Sequence, residues 1–159
     1  MDTAYKTTLE LDKVLARAVQ LCACQETKEM MQALEPAPTV EDERYDLAQT
    51  NAINALLIKN GSPRFGSVHE VRRIVAHARK GGILSMGELL EIAATLRNFS
   101  GLSQWYGLSE HEMLPTDDLF FALAPQPVLE KQIAESILSP EEMADTASVT
   151  LHDLRRKIR

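Results

Sequence analysis

Apolar positions recur along this chain at the three- and four-residue spacing of an amphipathic helix, almost from end to end. Leu11, Val14, Leu15, Ala18 and Cys22 make the first such stripe. A break near Cys24 separates it from a short helix through Met30, Met31 and Leu34. Pro36 and Pro38 end that helix, because proline lacks the amide hydrogen that would continue the ladder. Thr39 has the side chain of an N-cap, with Glu41, Asp42 and Glu43 in the following turn, where the helix dipole favours acids. This helix is predicted to run to about Lys59 and to end at Asn60-Gly61 in a left-handed cap. Leu47, Ile53, Leu56, Leu57 and Ile58 spread around its circumference, so contacts on more than one side are expected.

Ser62 to Ser67 reads as a Gly/Pro loop. From Val68 to Lys80 the pattern predicts a short helix. Val68, Val71, Ile74, Val75 and Ala78 fill one arc of roughly 120° at 100° per residue, with His69, Arg72, Arg73, His77, Arg79 and Lys80 on the remainder. Gly81-Gly82 breaks the chain, and Ser85 with Glu88 forms the sequence of a capping box. A long helix follows, with Leu89, Leu90, Ile92, Ala93, Leu96 and Phe99 inward, ending near Tyr106-Gly107. Ser109 to Pro115 is a polar connector, and Leu119, Phe120, Phe121 and Leu123 predict a short apolar helix. Pro127 suits a first helical turn, with the helix continuing from Val128 to Leu138. Ser139 to Ala147 is polar and expected to be irregular. A last helix begins near Ser148 and carries Leu151, Leu154 and Ile158 on one face, still in phase at Arg159. With no cap, Gly or Pro to stop it, the expectation is that the natural protein continues. The fold class expected is all-α, an irregular multi-helix bundle, with a helical core over 1–145 and the start of a long helix over 146–159.

Composition supports that picture. The 159 residues are 45% hydrophobic and 25% charged, with aromatics at 5%, so aliphatic side chains must build the core. No apolar run reaches the roughly 20 residues that span a bilayer, and the first residues lack a signal-peptide pattern, so a cytoplasmic protein without a membrane partner is expected. Cys22 and Cys24 point to different sides of a helix and cannot pair with each other. They read as two small apolar residues, with no further ligands beside them for a metal.

Net charge is -6, which argues against a protein that simply coats nucleic acid. The charge is uneven. Between positions 64 and 80 Arg64, Arg72, Arg73, Arg79 and Lys80 face only Glu70, a local +4 that leaves -10 elsewhere. A second basic run, Arg155, Arg156, Lys157 and Arg159, closes the chain and is expected to face partner domains or solvent. The seven residues Arg64, His69, Arg72, Arg73, His77, Arg79 and Lys80 are the candidate nucleic-acid contacts, as cations that neutralise phosphates without reading bases. The competing reading is a solvated helix face that pairs with acids of the same domain. Phe65 could add a stacking ring, or plug the core. No phosphate-binding loop of the Gly-x-x-x-x-Gly-Lys-Ser/Thr type is present, and no Ser, Cys or His has a nucleophile setting, so no catalytic, cofactor or metal residue is assigned. His69 and His77, about 12 Å apart along a helix, are too far apart to share a metal.

Four stretches in order carry a resemblance. Leu9-Glu10-Leu11-Asp12-Lys13-Val14-Leu15 resembles an "LEFxKIL" helix, and Gly61-Ser62-Pro63-Arg64-Phe65-Gly66-Ser67-Val68 a "GxPPFGGI" loop. Gly82-Ile83-Leu84-Ser85, Glu88-Leu89-Leu90-Glu91-Ile92 and Leu96-Arg97 resemble "GxLxxxELLxIxxxLR". Asp145-Thr146-Ala147-Ser148 with Leu151, Leu154-Arg155 and Ile158 resembles "DxASxxLxxIRxxI". Thr27, Arg64 and Ser67 depart from the pattern, standing where a Gly, a Pro and a Gly are usual. These motifs are similar to those of the amino-terminal core and lever region of the second bacterial MutS family.

That resemblance implies a fragment with no chemistry of its own, coupled to regions outside it. These are the remaining levers, a coiled-coil clamp, a dimeric ATPase that uses ATP and magnesium, and a Smr nuclease domain. It implies a parent that acts on branched DNA in repair and restraint of recombination, or on ribosomes and rRNA. The alternatives kept beside it are a stand-alone helical nucleic-acid binder and a protein–protein adaptor.

Overall fold

The computed structural model describes residues 8–64, 66, 68–108 and 110–158. Among them the architecture is helical: α1 (Leu11–Leu21), α2 (Gln25–Gln32), α3 (Val40–Asn60), α4 (Arg72–Arg79), α5 (Met86–Tyr106), α6 (Asp117–Phe121), α7 (Pro127–Ser136) and α8 (Val149–Ile158). A two-stranded antiparallel ribbon, β1 (Ile137–Ser139) and β2 (Glu142–Met143), and a 3₁₀ turn (Asp145–Ala147) lie between α7 and α8.

The helix starts follow from their caps. Thr39 Oγ1 accepts the Asp42 amide at 3.1 Å. At α5 both halves of the capping box form: Ser85 Oγ accepts the Glu88 amide at 3.3 Å, and Glu88 Oε2 accepts the Ser85 amide at 2.7 Å. The Ser85 amide, and after it the Ser85 hydroxyl, which donates to Glu88 Oε2 at 2.8 Å, hold the Glu88 carboxyl below its usual range. α4 ends in a Schellman motif: the Gly81 amide bonds Ala78 O and the Gly82 amide bonds His77 O, with Gly81 at φ 81°. The end of α3 differs from the left-handed cap expected. Gly61 has φ 72° but ψ 179°, a region open only to glycine, which lets its carbonyl accept the Trp105 indole N–H at 2.8 Å.

Other stretches also depart from the sequence pattern. α2 stops at Gln32, two residues before Leu34, which is exposed. The helix expected from Val68 begins only at Arg72. Two β-branched residues, Val68 and Val71, disfavour an earlier start, and Gly66 is tied by its amide to Asn98 Oδ1 of α5 at 2.9 Å. The helix expected to reach Leu138 stops at Ser136. Pro140 biases the preceding backbone to extended conformations, and Ile137, 5% exposed, drops into the core as a strand residue. The stretch 139–147, expected to be irregular, therefore closes a ribbon, with Ile137 opposite Met143 and the Ala144 amide on Ser136 O at 2.9 Å.

Two separate cores sit along α5. Near its start Ala93 packs with Ile133 and Ile137, flanked by Met86, Leu89, Leu90 and Ile92. At its end Trp105 and Tyr106 pack with Leu56 of α3, flanked by Ile53, Leu57, Leu114 and Phe120. Tyr106 stacks on Phe120 with ring centroids 3.8 Å apart, and its hydroxyl donates to Asp117 Oδ1 at 2.7 Å. That proton being spent, Thr116, wholly buried, donates its hydroxyl to Tyr106 at 2.8 Å. Leu47, on another side of α3, borders a groove with Leu11, Leu15 and Leu34. Of the apolar residues expected to make contacts on several sides of α3, only Leu56 is buried, while Leu47 and Ile58 are 54% and 80% exposed. Among the described residues α8 packs chiefly on the 3₁₀ turn, where Arg155 bonds Asp145 and Met143 O.

Candidate nucleic-acid interface

The residues singled out by charge do not form one face. Arg64 is exposed in the loop after α3, while Phe65 and Ser67 lie outside the described residues. His69 is off the helix, in the extended segment before α4, so it shares no helix face with His77 as the sequence had suggested. The His77 ring lies over Gly82, where an added Cβ would come within 2.2 Å of its Nε2. Of the predicted apolar arc only Ile74 is buried; Val75 is 43% exposed, and Ala78 is exposed as well.

Arg72, Arg79, Lys80 and His69 do converge, on the border of a groove of about 700 Å³ between α2, α4 and α5. Val68, Val75, Ala76 and Phe99 make its floor. Arg72 is already paired there, its Nη2 lying 2.5 Å from Glu26 Oε1 of α2. Arg73 points elsewhere, 92% exposed, and approaches Glu70 at 3.9 Å. Arg79 and Lys80 have no acidic partner among the described residues. The pairing of this helix with acids of its own domain, kept open in the sequence reading, therefore holds for Arg72 and, more weakly, for Arg73.

Cys24 and Glu26 also line this groove and were not among the sequence candidates, because their approach depends on how α2 folds back towards α4. The Cys24 thiol is held below its usual pKa, chiefly by its 3.0 Å hydrogen bond with Thr27. Both cysteines are free. Among the described residues no cluster of His, Cys, Asp and Glu could hold a metal ion, and no helix is long and apolar enough to cross a membrane.

The amino-acid sequence has counterparts among known proteins. The protein described as endonuclease MutS2 in Ruminiclostridium cellulolyticum is 31% identical over 161 residues, covering 100% of this chain and 20% of that protein. The chain is homologous to MutS2. MutS2 of Acetivibrio thermocellus is likewise 31% identical over 95% of the chain and 19% of its own length. MutS2 of Clostridium beijerinckii is 29% identical over 95% of the chain and 20% of its length. The chain thus spans about a fifth of the MutS2 relatives it matches. The family resemblance carried by the four motifs is borne out, as is the all-α class. No family model matches the chain, and no solved structure does.

Proposed function

We propose that this chain is the core and lever module of a MutS2-type DNA-binding ATPase and endonuclease, without catalysis of its own. The observation that carries the reading is homology along nearly the whole chain to a fifth of proteins described as endonucleases. In this reading ATP, magnesium, the nuclease centre and the contacts of a homodimer belong to regions outside the chain. The helices pass the nucleotide state on to a clamp that closes on branched DNA or on rRNA, in a cytoplasmic protein. A helix joining two separate cores, as α5 does, supports a mechanical role.

The test has two parts. ATP hydrolysis and DNA cleavage by this chain alone are expected to equal a buffer blank, and turnover above it overturns the reading. A chimera in which this chain replaces the matching segment of the Ruminiclostridium MutS2 is expected to keep nucleotide turnover that responds to branched DNA. A response like that of an unrelated helical insert would point to a mere spacer.

A second reading gives the basic residues to nucleic acid. It is favoured by Arg73, Arg79 and Lys80, exposed and unpaired or weakly paired. Double replacement of Arg79 and Lys80 by alanine should then lower the salt slope of DNA or rRNA binding by about two ions. An unchanged slope removes those two residues from the interface.

A further inference from the structure

We propose that the groove between α2, α4 and α5 is a docking site for an acidic amphipathic helix of a protein partner. This goes beyond the module's place in a larger ATPase and does not depend on it. The first argument is the floor. Val68 and Val75 are 39% and 43% exposed, side by side with Ala76 and Phe99, in a concavity of about 700 Å³. An apolar floor of this kind recruits side chains spaced at i, i+3 or i+4, and i+7 on a helix, and offers nothing to a phosphate backbone.

The second argument is charge along the groove. At its α2 end Glu26 neutralises Arg72, and Glu70 lies 3.9 Å from Arg73. Phosphates would find only cations already facing carboxylates at this end, which weighs against DNA or RNA running the length of the groove. At the other end Arg79 and Lys80 stand at the last turn of α4 with no acid opposite them among the described residues. The groove therefore runs from neutral, through apolar, to cationic over about 10 Å, or two helical turns. Its complement is a helix with an apolar stripe and carboxylates at one end.

The third argument gives orientation. Carboxylates are most stable in the first turn of a helix, where the amide ends are positive. Placing that turn over Arg79 and Lys80 sets the partner's amino terminus beside the carboxy terminus of α4. The two helix dipoles then run antiparallel, so the polar ends and the charged ends are satisfied together.

The experiment uses this chain and three fluorescein-labelled probes, followed by anisotropy. One is a helical peptide with leucine at i, i+4 and i+7 and glutamates confined to its first turn; the second has lysine for every glutamate; the third is a short DNA duplex. The acidic peptide is expected to bind and the lysine peptide not. Val75→Asp should weaken acidic-peptide binding about tenfold or more, with the helical circular dichroism and melting point unchanged. Arg79→Glu with Lys80→Glu should reverse the preference, so that the lysine peptide binds and the acidic one does not. That reversal is a gain that misfolding cannot produce. Binding of the acidic peptide that ignores all three substitutions, failure of both peptides to bind, or duplex binding that Val75→Asp abolishes would each overturn the proposal.

Discussion

Three side chains at the end of α5 make a polar link around a wholly buried hydroxyl, that of Thr116. Tyr106 spends its proton on Asp117 and accepts one from Thr116, which has no exposed surface, while Asp117 also takes the Leu114 amide at 3.1 Å. Tyr106→Phe keeps the stacked ring but strands the Thr116 hydroxyl. It should cost about 1–2 kcal/mol in chemical denaturation, the usual penalty for a buried polar group left without a partner. Thr116→Val, which removes that hydroxyl as well, should recover part of the loss in the double variant. The same link gives a pH dependence. The Tyr106 hydroxyl, more than any other group, holds the Asp117 carboxyl below its usual range. A depressed carboxyl pKa adds stability that is complete above the unfolded value of about 4, and is lost as pH falls through the folded value. Thermal melts should therefore drop on acidification below about pH 4. Asp117→Asn should melt lower at neutral pH and show a shallower acid decline.

Individual helices differ in how firmly they are held. α7 is anchored: Ile133 is 6% exposed against Ala93, and Arg97 of α5 pairs with Glu130 at 2.9 Å. Ile133→Ala should cost about 2–4 kcal/mol by leaving a cavity. α8 is not: its main tie is Arg155 to the 3₁₀ turn, and Leu154 and Ile158 are exposed. Arg155→Ala should speed amide hydrogen exchange across residues 149–158 while the midpoint of global unfolding stays put.

What could be read from sequence follows the same division. Periodicity and caps give α1, α3, α5 and α8 within a residue or two, because those signals lie inside each element. The ribbon at Ile137 was hidden, since its cause is burial against Ala93, some forty residues away. Likewise Arg72 could be picked out as a cation but not as the partner of Glu26, and Trp105 and Tyr106 were missing from the expected inward set of α5. That set followed the stripe of its first half, while these rings turn towards α3 and α6.

Taken whole, the molecule is poorly covered. Its accessible surface is 12156 Å², about half as large again as the roughly 8,000 Å² usual for a folded chain of this mass. Leu21, Ile58, Ile83 and Met113 are each at least 80% exposed. An isolated sample should bind a hydrophobic dye in its native buffer. Its urea m-value should also be lower than that of compact proteins of equal length, because less surface remains to be uncovered. Burying the same surface in a larger assembly should abolish the dye signal. The 21-residue α5, gripped at both ends by different cores, has one more consequence. Ala93 and Tyr106 are about 20 Å apart along its axis, so a tilt of about 5° at the first swings the second through an arc of about 2 Å. No hydrogen bond survives that stretch. A swing of that size relative to α6 would part the Tyr106–Thr116–Asp117 link, while smaller tilts would leave it intact.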